Sequence, residues 1–105
     1  MNNVQSNRKK ILSIVAPAYN ESSGLDEFYS RLISSTKGLD LELEVIYVND
    51  GSQDDTLELM SKQRSKDPSL TIIDLSRNFG KEIALTAGLD HALGDAVVVI
   101  DTDLQ

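Results

Sequence analysis

The sequence has no cysteine and no tryptophan, and only two prolines in 105 residues. Without cysteine there is no disulfide framework and no thiolate metal site, which suits a reducing cytosol. Basic residues are also scarce: 10 lysines and arginines stand against 17 acids, for a net charge of −7. That balance argues against a nucleic-acid binder, which would show a basic face. It does not exclude an anionic ligand, because a metal ion can bridge acid to anion. No apolar run approaches the roughly 18–20 residues that span a bilayer. The polar start, residues 1–10, lacks the apolar stretch of a signal peptide. Arg8, Lys9 and Lys10 read as a solvated tail rather than a lipid contact. Two phosphate-binding signatures are missing as well. No G-x-G-x-x-G follows the first apolar run, and there is no G-x-x-x-x-G-K-[ST]. A dinucleotide-binding fingerprint and a P-loop are therefore excluded.

What is present is an alternation of strand and helix patterns. Residues 11–16 form a β-branched apolar run that Pro17 is expected to end. Leu25, Phe28, Tyr29, Leu32 and Ile33 then fall on one helical face over residues 24–37. Ser23 and Asp26 have capping-box spacing, and Gly38 supplies a stop. A second strand covers 43–48. A second helix opens at Ser52 and Asp55, turns Leu57 and Met60 inward, and ends before Pro68. A third strand covers 70–75. A third helix over 80–93 is apolar nearly all round, so deep burial is expected. Gly88 within it implies close packing against a neighbour. Residues 96–100, Ala-Val-Val-Val-Ile, read as a strand at the centre of a sheet covered on both faces.

Strands alternating with helices predict an α/β fold: a Rossmann-like parallel sheet with helices on both faces. Ligands bind such sheets at the carboxyl ends of the strands, where the strand order reverses. Each strand here ends in a polar cluster at that edge: Pro17 to Glu21, Asn49 to Ser52, Ser76 to Lys81, and Asp101 to Gln105. The expected order is 3-2-1-4, which sets the first cluster beside the last.

Asp101 and Asp103 are two apart on a segment read as extended, so both side chains would face one way. Paired carboxylates suit Mg²⁺ or Mn²⁺, with a diphosphate completing the coordination. Asp50 could accept from an imide N–H or a ribose hydroxyl. Tyr19 offers a ring for a base or simply packs. Lys81 could meet phosphate or a neighbouring acid. Ser52 and Asp55 read as structural, and Asp54, Asp55 and Glu58 as a solvated helix start. His91 reads as a surface residue with no metal role.

Four motifs occur in order: Val15-Ala16-Pro17-Ala18-Tyr19-Asn20-Glu21, Val48-Asn49-Asp50-Gly51-Ser52-Gln53-Asp54-Asp55-Thr56, Arg77-Asn78-Phe79-Gly80-Lys81 and Asp101-Thr102-Asp103-Leu104-Gln105. Together they resemble inverting family-two glycosyltransferases of the GT-A fold, over residues 11–105. The run from Ser76 to Gln105 is most similar to the polyprenyl-phosphate branch, the dolichyl-phosphate mannose synthases and bactoprenol glucosyltransferases. The resemblance implies that Pro17, Tyr19 and Glu21 line a nucleotide pocket and that Val48 and Asp50 hold the base. It implies that Asp101 and Asp103 are the catalytic, metal-binding pair, that Thr102 contributes its backbone, and that Gln105 lies near the sugar. Asn49 stands where many relatives carry a second aspartate.

The implied donor is a UDP- or GDP-hexose, UDP-glucose foremost, and the implied acceptor a polyprenyl phosphate. A saccharide or other hydroxyl acceptor is the alternative, and it would need a general base that these residues do not supply. The resemblance also places the protein in the cytoplasm, at the cytoplasmic face of a membrane reached through a region beyond Gln105. Residues 11–105 then read as the front part of a nucleotide-sugar-binding domain, inactive alone, with apolar surface that another copy would cover or that would leave the chain poorly soluble. A signalling receiver domain also sets acids at strand ends, but it needs an acid pair after its first strand, where Glu21 stands alone. A truncated fold that binds nothing is the remaining alternative.

Overall fold

The computed structural model describes residues 9–103. Leu104, Gln105 and most of the polar tail lie outside the described residues. The elements are β1 (Lys10–Ala18), α1 (Leu25–Thr36), β2 (Leu41–Asn49), α2 (Thr56–Lys66), β3 (Leu70–Asp74), α3 (Lys81–His91) and β4 (Ala96–Val99). The four strands form one parallel sheet in the expected order, β3-β2-β1-β4.

Strand alternation splits the core between the two faces of the sheet. Ile14, Ala16 and Ala18 of β1 and Val45 and Tyr47 of β2 pack with Leu25, Phe28 and Leu32 of α1 and Met60 of α2. Val15, Ile46 and Val48 point the other way and meet Ala84 of α3. Helices therefore lie on both faces, as the alternating pattern requires. Gly88 packs as its place in the helix implied. A Cβ there would stand 2.4 Å from a methyl of Val15 and 3.1 Å from one of Val48.

Several local expectations are corrected. Pro17 does not end β1, which runs on to Ala18 with Pro17 opposite Val48. The Val15 carbonyl accepts from Ile100 and that of Ala18 from Asp50, so odd-numbered residues present their backbone groups toward β4. The N–H that Pro17 lacks would point to that side, beyond the end of β4 at Val99, and no ladder bond is lost. The Ser23–Asp26 capping box does not form, because α1 begins after Gly24 without a side-chain cap and Asp26 accepts from Gln63 of α2 instead. α2 begins at Thr56 rather than near Ser52.

The far flank also differs. β4 is an edge strand among the described residues, with Val97, Val98 and Val99 40–43% exposed. α3 is not buried all round. It approaches the sheet through Ala84 and Gly88, while Ile83 and Leu89 stand about half exposed. A small-residue face permits close approach, and no described element covers the other side. None of the described helices is long and apolar enough to cross a membrane.

Candidate functional site

The carboxyl ends of β1 and β2, the start of α3 and the turn after β4 enclose a cleft of about 280 Å³. It is built on three anchored segments, each held by side chains of a neighbouring element.

The first is the loop after β1. Asn20 adopts a left-handed backbone, φ 53°, which asparagine tolerates better than most residues. Its N–H donates to the Ser52 hydroxyl at 2.9 Å, and its side-chain oxygen accepts from the Gln53 N–H at 2.8 Å. The Glu21 N–H donates to the Thr56 hydroxyl and the Ser22 N–H to Asp54. Four bonds thus clamp this loop to the start of α2 and leave Tyr19 projecting, 44% exposed. Asp54, read from sequence as solvated, is a structural acceptor here. Burial pushes its carboxyl up, but bonds from Thr56 and Ser22 outweigh that and hold it at about 2.

The second segment is the loop before α3. Asp50 is buried, and its carboxylate accepts from the backbone N–H groups of Phe79 at 2.8 Å and Gly80 at 3.1 Å. The Asn78 amide donates to the Asp50 carbonyl. Gly51, at φ 69°, lets this loop lie directly against the end of β2. A Cβ there would fall 2.2 Å from backbone atoms of Arg77 and Asn78. The Arg77 guanidinium covers the Phe79 ring at 4.1 Å.

The third segment carries the carboxylates. Asp101 to Asp103 form a turn rather than the extended segment expected. Thr102 is buried and its hydroxyl donates to the Pro17 carbonyl at 3.3 Å, which fixes the turn against β1. Asp101 and Asp103, one on either side of that anchor, are exposed and both line the cleft. Lys81, the first residue of α3, places its ammonium 2.7 and 2.9 Å from the two oxygens of Asp101.

The structure therefore brings Pro17, Tyr19, Glu21, Asp50, Lys81, Asp101, Thr102 and Asp103 to one cleft. It does not bring Val48 there: its side chain is fully buried beneath α3. Gln105 lies outside the described residues. Ala18, Asn78 and Gly80 also line the cleft and were given no role from sequence. The sequence signal for each was its motif: Val15 to Glu21 for Ala18, and Arg77 to Lys81 for Asn78 and Gly80. Tyr19 also borders a second recess of about 580 Å³ that reaches Arg77 along the end of β3.

Electrostatically the cleft is acidic. The Glu21 carboxyl is pushed above its ordinary value by burial, then by the charges of Asp103, Asp54 and Asp101. The hydrogen bond to Asp101 holds the Lys81 ammonium above its ordinary value. Acids outnumber the one lysine in its lining, so an accompanying cation favours entry of an anion. The donor set fits Mg²⁺ or Mn²⁺: two carboxylates on one turn supply hard oxygens. No group of three or more acids or histidines is placed to cage a metal among the described residues. The remaining positions would fall to water and ligand oxygens, as is usual for Mg²⁺.

Comparison with known proteins agrees with this architecture. Residues 13–105 match the family model described as Glycosyl transferase family 2. An uncharacterized glycosyltransferase of Synechocystis is 49% identical over 90% of this chain and 30% of its own length. A prophage bactoprenol glucosyl transferase homolog of Escherichia coli is 42% identical over 90% of this chain and 31% of its own. Among solved structures, a mannosyltransferase of Pyrobaculum calidifontis in complex with GDP-Man and Mn²⁺ superposes with a TM-score of 0.80. It is 28% identical, over 92% of this chain and 28% of that one. TarS of S. aureus in complex with UDP-GlcNAc gives 0.75 at 30% identity, over 88% of this chain and 26% of that one. The chain thus spans under a third of these relatives.

Proposed function

The chain belongs to glycosyl transferase family 2, and on that premise we propose that it is the donor-binding part of an enzyme that moves a hexose from a nucleoside diphosphate to a polyprenyl phosphate. The observation that carries this reading is the placement of the Asp101–Asp103 turn against β1, facing Tyr19 and Glu21 across one cleft. Residues 11–105 form the nucleotide-sugar-binding part of the domain on this reading.

Tyr19 stacks on the base. Pro17 and Glu21 line the nucleotide pocket. Asp50, its carboxylate engaged with Phe79 and Gly80, contributes chiefly by holding the loop that shapes the far wall. Asp101 and Asp103 would hold a divalent cation, and Gln105 is assigned to the sugar by its motif alone. A cation held there would supply positive charge to offset that of a diphosphate leaving group. Lys81 adds a second positive charge on the diphosphate side, and Thr102 keeps the carboxylate turn in place through Pro17. Charge placed in advance where the leaving group develops it needs no reorganisation during reaction. An acceptor phosphate is already anionic at neutral pH, so a single inverting displacement needs no general base from these residues. Relatives named bactoprenol glucosyl transferases support a glucosyl group and a polyprenyl-type acceptor, and UDP as the donor's nucleotide is part of the proposal. On this reading the enzyme works at the cytoplasmic face of a membrane.

The test is calorimetry of UDP, UDP-glucose and GDP-mannose binding to the full-length protein with Mn²⁺, beside Asp103→Asn. Loss of one hard-cation ligand should weaken Mn²⁺-dependent affinity at least about tenfold. Unchanged affinity would sink the assignment of the pair. Incubation with labelled UDP-glucose and a short polyprenyl phosphate should give lipid-linked label; label in soluble saccharide alone would overturn the acceptor.

A further inference from the structure

We propose that Lys81 is a positioning residue that stands in for the divalent cation on Asp101 while the cleft is empty, and releases Asp101 when cation and nucleoside diphosphate enter together. The inference rests on the reading of Asp101 and Asp103 as the cation's ligands.

One ammonium engages both oxygens of Asp101, at 2.7 and 2.9 Å. A cation bound to Asp101 needs at least one of those oxygens. It cannot sit beside an ammonium at hydrogen-bond distance without strong repulsion between like charges. Lys81 must therefore leave as the cation arrives. The structure makes that movement easy. Both side chains are about half exposed or more, at 60% and 47%, and an exposed pair holds its partners weakly. The root of the Lys81 stem stays fixed because the Gly80 N–H is bonded to buried Asp50. Only a flexible four-carbon stem has to swing.

Where the ammonium goes follows from the same cleft. Lys81 shares its walls with Tyr19, Glu21 and Asp103, so a diphosphate held there lies within its sweep. In the empty cleft Lys81 offsets one of the clustered carboxylates, so a cation alone gains little by entering. With a diphosphate present, the displaced ammonium finds a new anionic partner. Cation and nucleotide then favour each other's binding, and the coupling is reciprocal.

The experiment titrates Mn²⁺ alone into wild type, Lys81→Gln and Asp103→Asn, following free Mn²⁺ by electron paramagnetic resonance, and then titrates UDP and GDP at saturating Mn²⁺. Lys81→Gln should bind Mn²⁺ alone about two- to fivefold more tightly, the size expected for losing an exposed ion pair. The same variant should bind the preferred nucleotide at saturating Mn²⁺ more weakly. Opposite signs are the signature, since a merely structural lysine would weaken both. Mn²⁺ affinity that is unchanged or lower in Lys81→Gln, while Asp103→Asn loses it, overturns the role of Lys81 and leaves the cation site standing. Unchanged affinity in Asp103→Asn means the site itself is misread, and the inference falls with it.

Discussion

The two flanks of the sheet are built differently. Under α1 and α2, ten buried residues form one cluster that includes Phe28, Tyr47, Met60 and Leu70. A polar thread runs through it, with the Tyr47 hydroxyl donating to Gln63 and the Gln63 amide donating to Asp26. On the α3 and β4 side only Val15, Ile46, Val48 and Ala84 are buried together among the described residues, and the three valines of β4 remain partly exposed. β4, Ala-Val-Val-Val, is the most uniformly apolar of the strands yet the most exposed, so composition did not set this difference; neighbours did. The cleft lies on the seam. Tyr19 and Asp50 come from the dense flank, whereas Lys81, Asp101 and Asp103 ride on the sparse one. The charged half of the site therefore rests on fewer buried contacts, and two sets of bonds tie it across: Thr102 to Pro17, and Phe79 and Gly80 to Asp50.

Truncation on each flank measures the contrast directly. Phe28→Ala should cost about 3–5 kcal/mol in urea unfolding, while Val98→Ala on β4 should cost under about 1 kcal/mol, since it is 42% exposed already. Equal costs would mean that β4 is as well packed as the core. The junction between flanks comes next. Gly51→Ala must hold a left-handed backbone and push the Arg77–Asn78 backbone away from a Cβ at 2.2 Å, so a loss of at least about 2 kcal/mol is expected. A fully stable variant would show that the 77–80 loop is not seated on β2. Gly88→Ala should be milder. Its Cβ meets methyls of the buried Val15 at 2.4 Å and Val48 at 3.1 Å rather than backbone atoms, and about 1 kcal/mol of helix propensity offsets part of the strain. A net loss near about 1 kcal/mol is expected, and clear stabilisation would mean that α3 sits loosely on the sheet.

The same contrast explains how much could be read from the residues alone. The parallel order β3-β2-β1-β4 was legible because the polar clusters after β1 and β4 make sense only side by side. The two-faced core was legible from alternation, and so was the close packing at Gly88. The exposure of β4 was not, because Ala-Val-Val-Val carries no record of what flanks it. Cap positions failed where a distant partner outbid a local one. Ser52 serves Asn20, 32 residues away, and Asp26 serves Gln63, 37 away. The persistence of β1 through Pro17 could be seen only once the register showed which side its missing N–H faces. At the cleft, the residues that carry charge were legible from motif chemistry. The residues that hold them, Asn20, Asn78 and Asp54, were not, since their roles are bonds between loops far apart in sequence. Val48 reads as a site residue by its motif, yet its side chain is committed to the core beneath α3.

Asp54 offers the finest test of how far the dense flank reaches into the site. Its carboxylate accepts from the Thr56 N–H at 3.0 Å, the Thr56 hydroxyl and the Ser22 N–H at 3.2 Å. Those bonds outweigh partial burial and hold it at about 2, below its ordinary 3.8. The unfolded chain therefore takes up this proton first as pH falls. The bond network contributes its full stability above about pH 4 and loses it as pH drops through about 2. Because the side chain is exposed, the contribution at neutral pH should stay under about 1 kcal/mol. Asp54→Asn should lower the urea midpoint slightly at pH 6, and its difference from wild type should shrink by pH 2.5. Two curves that stay parallel from pH 6 to pH 2.5 would show that Asp54 does not clamp the Tyr19 loop to α2 through its charge, and that the loop's order comes from Asn20 and Ser52 alone.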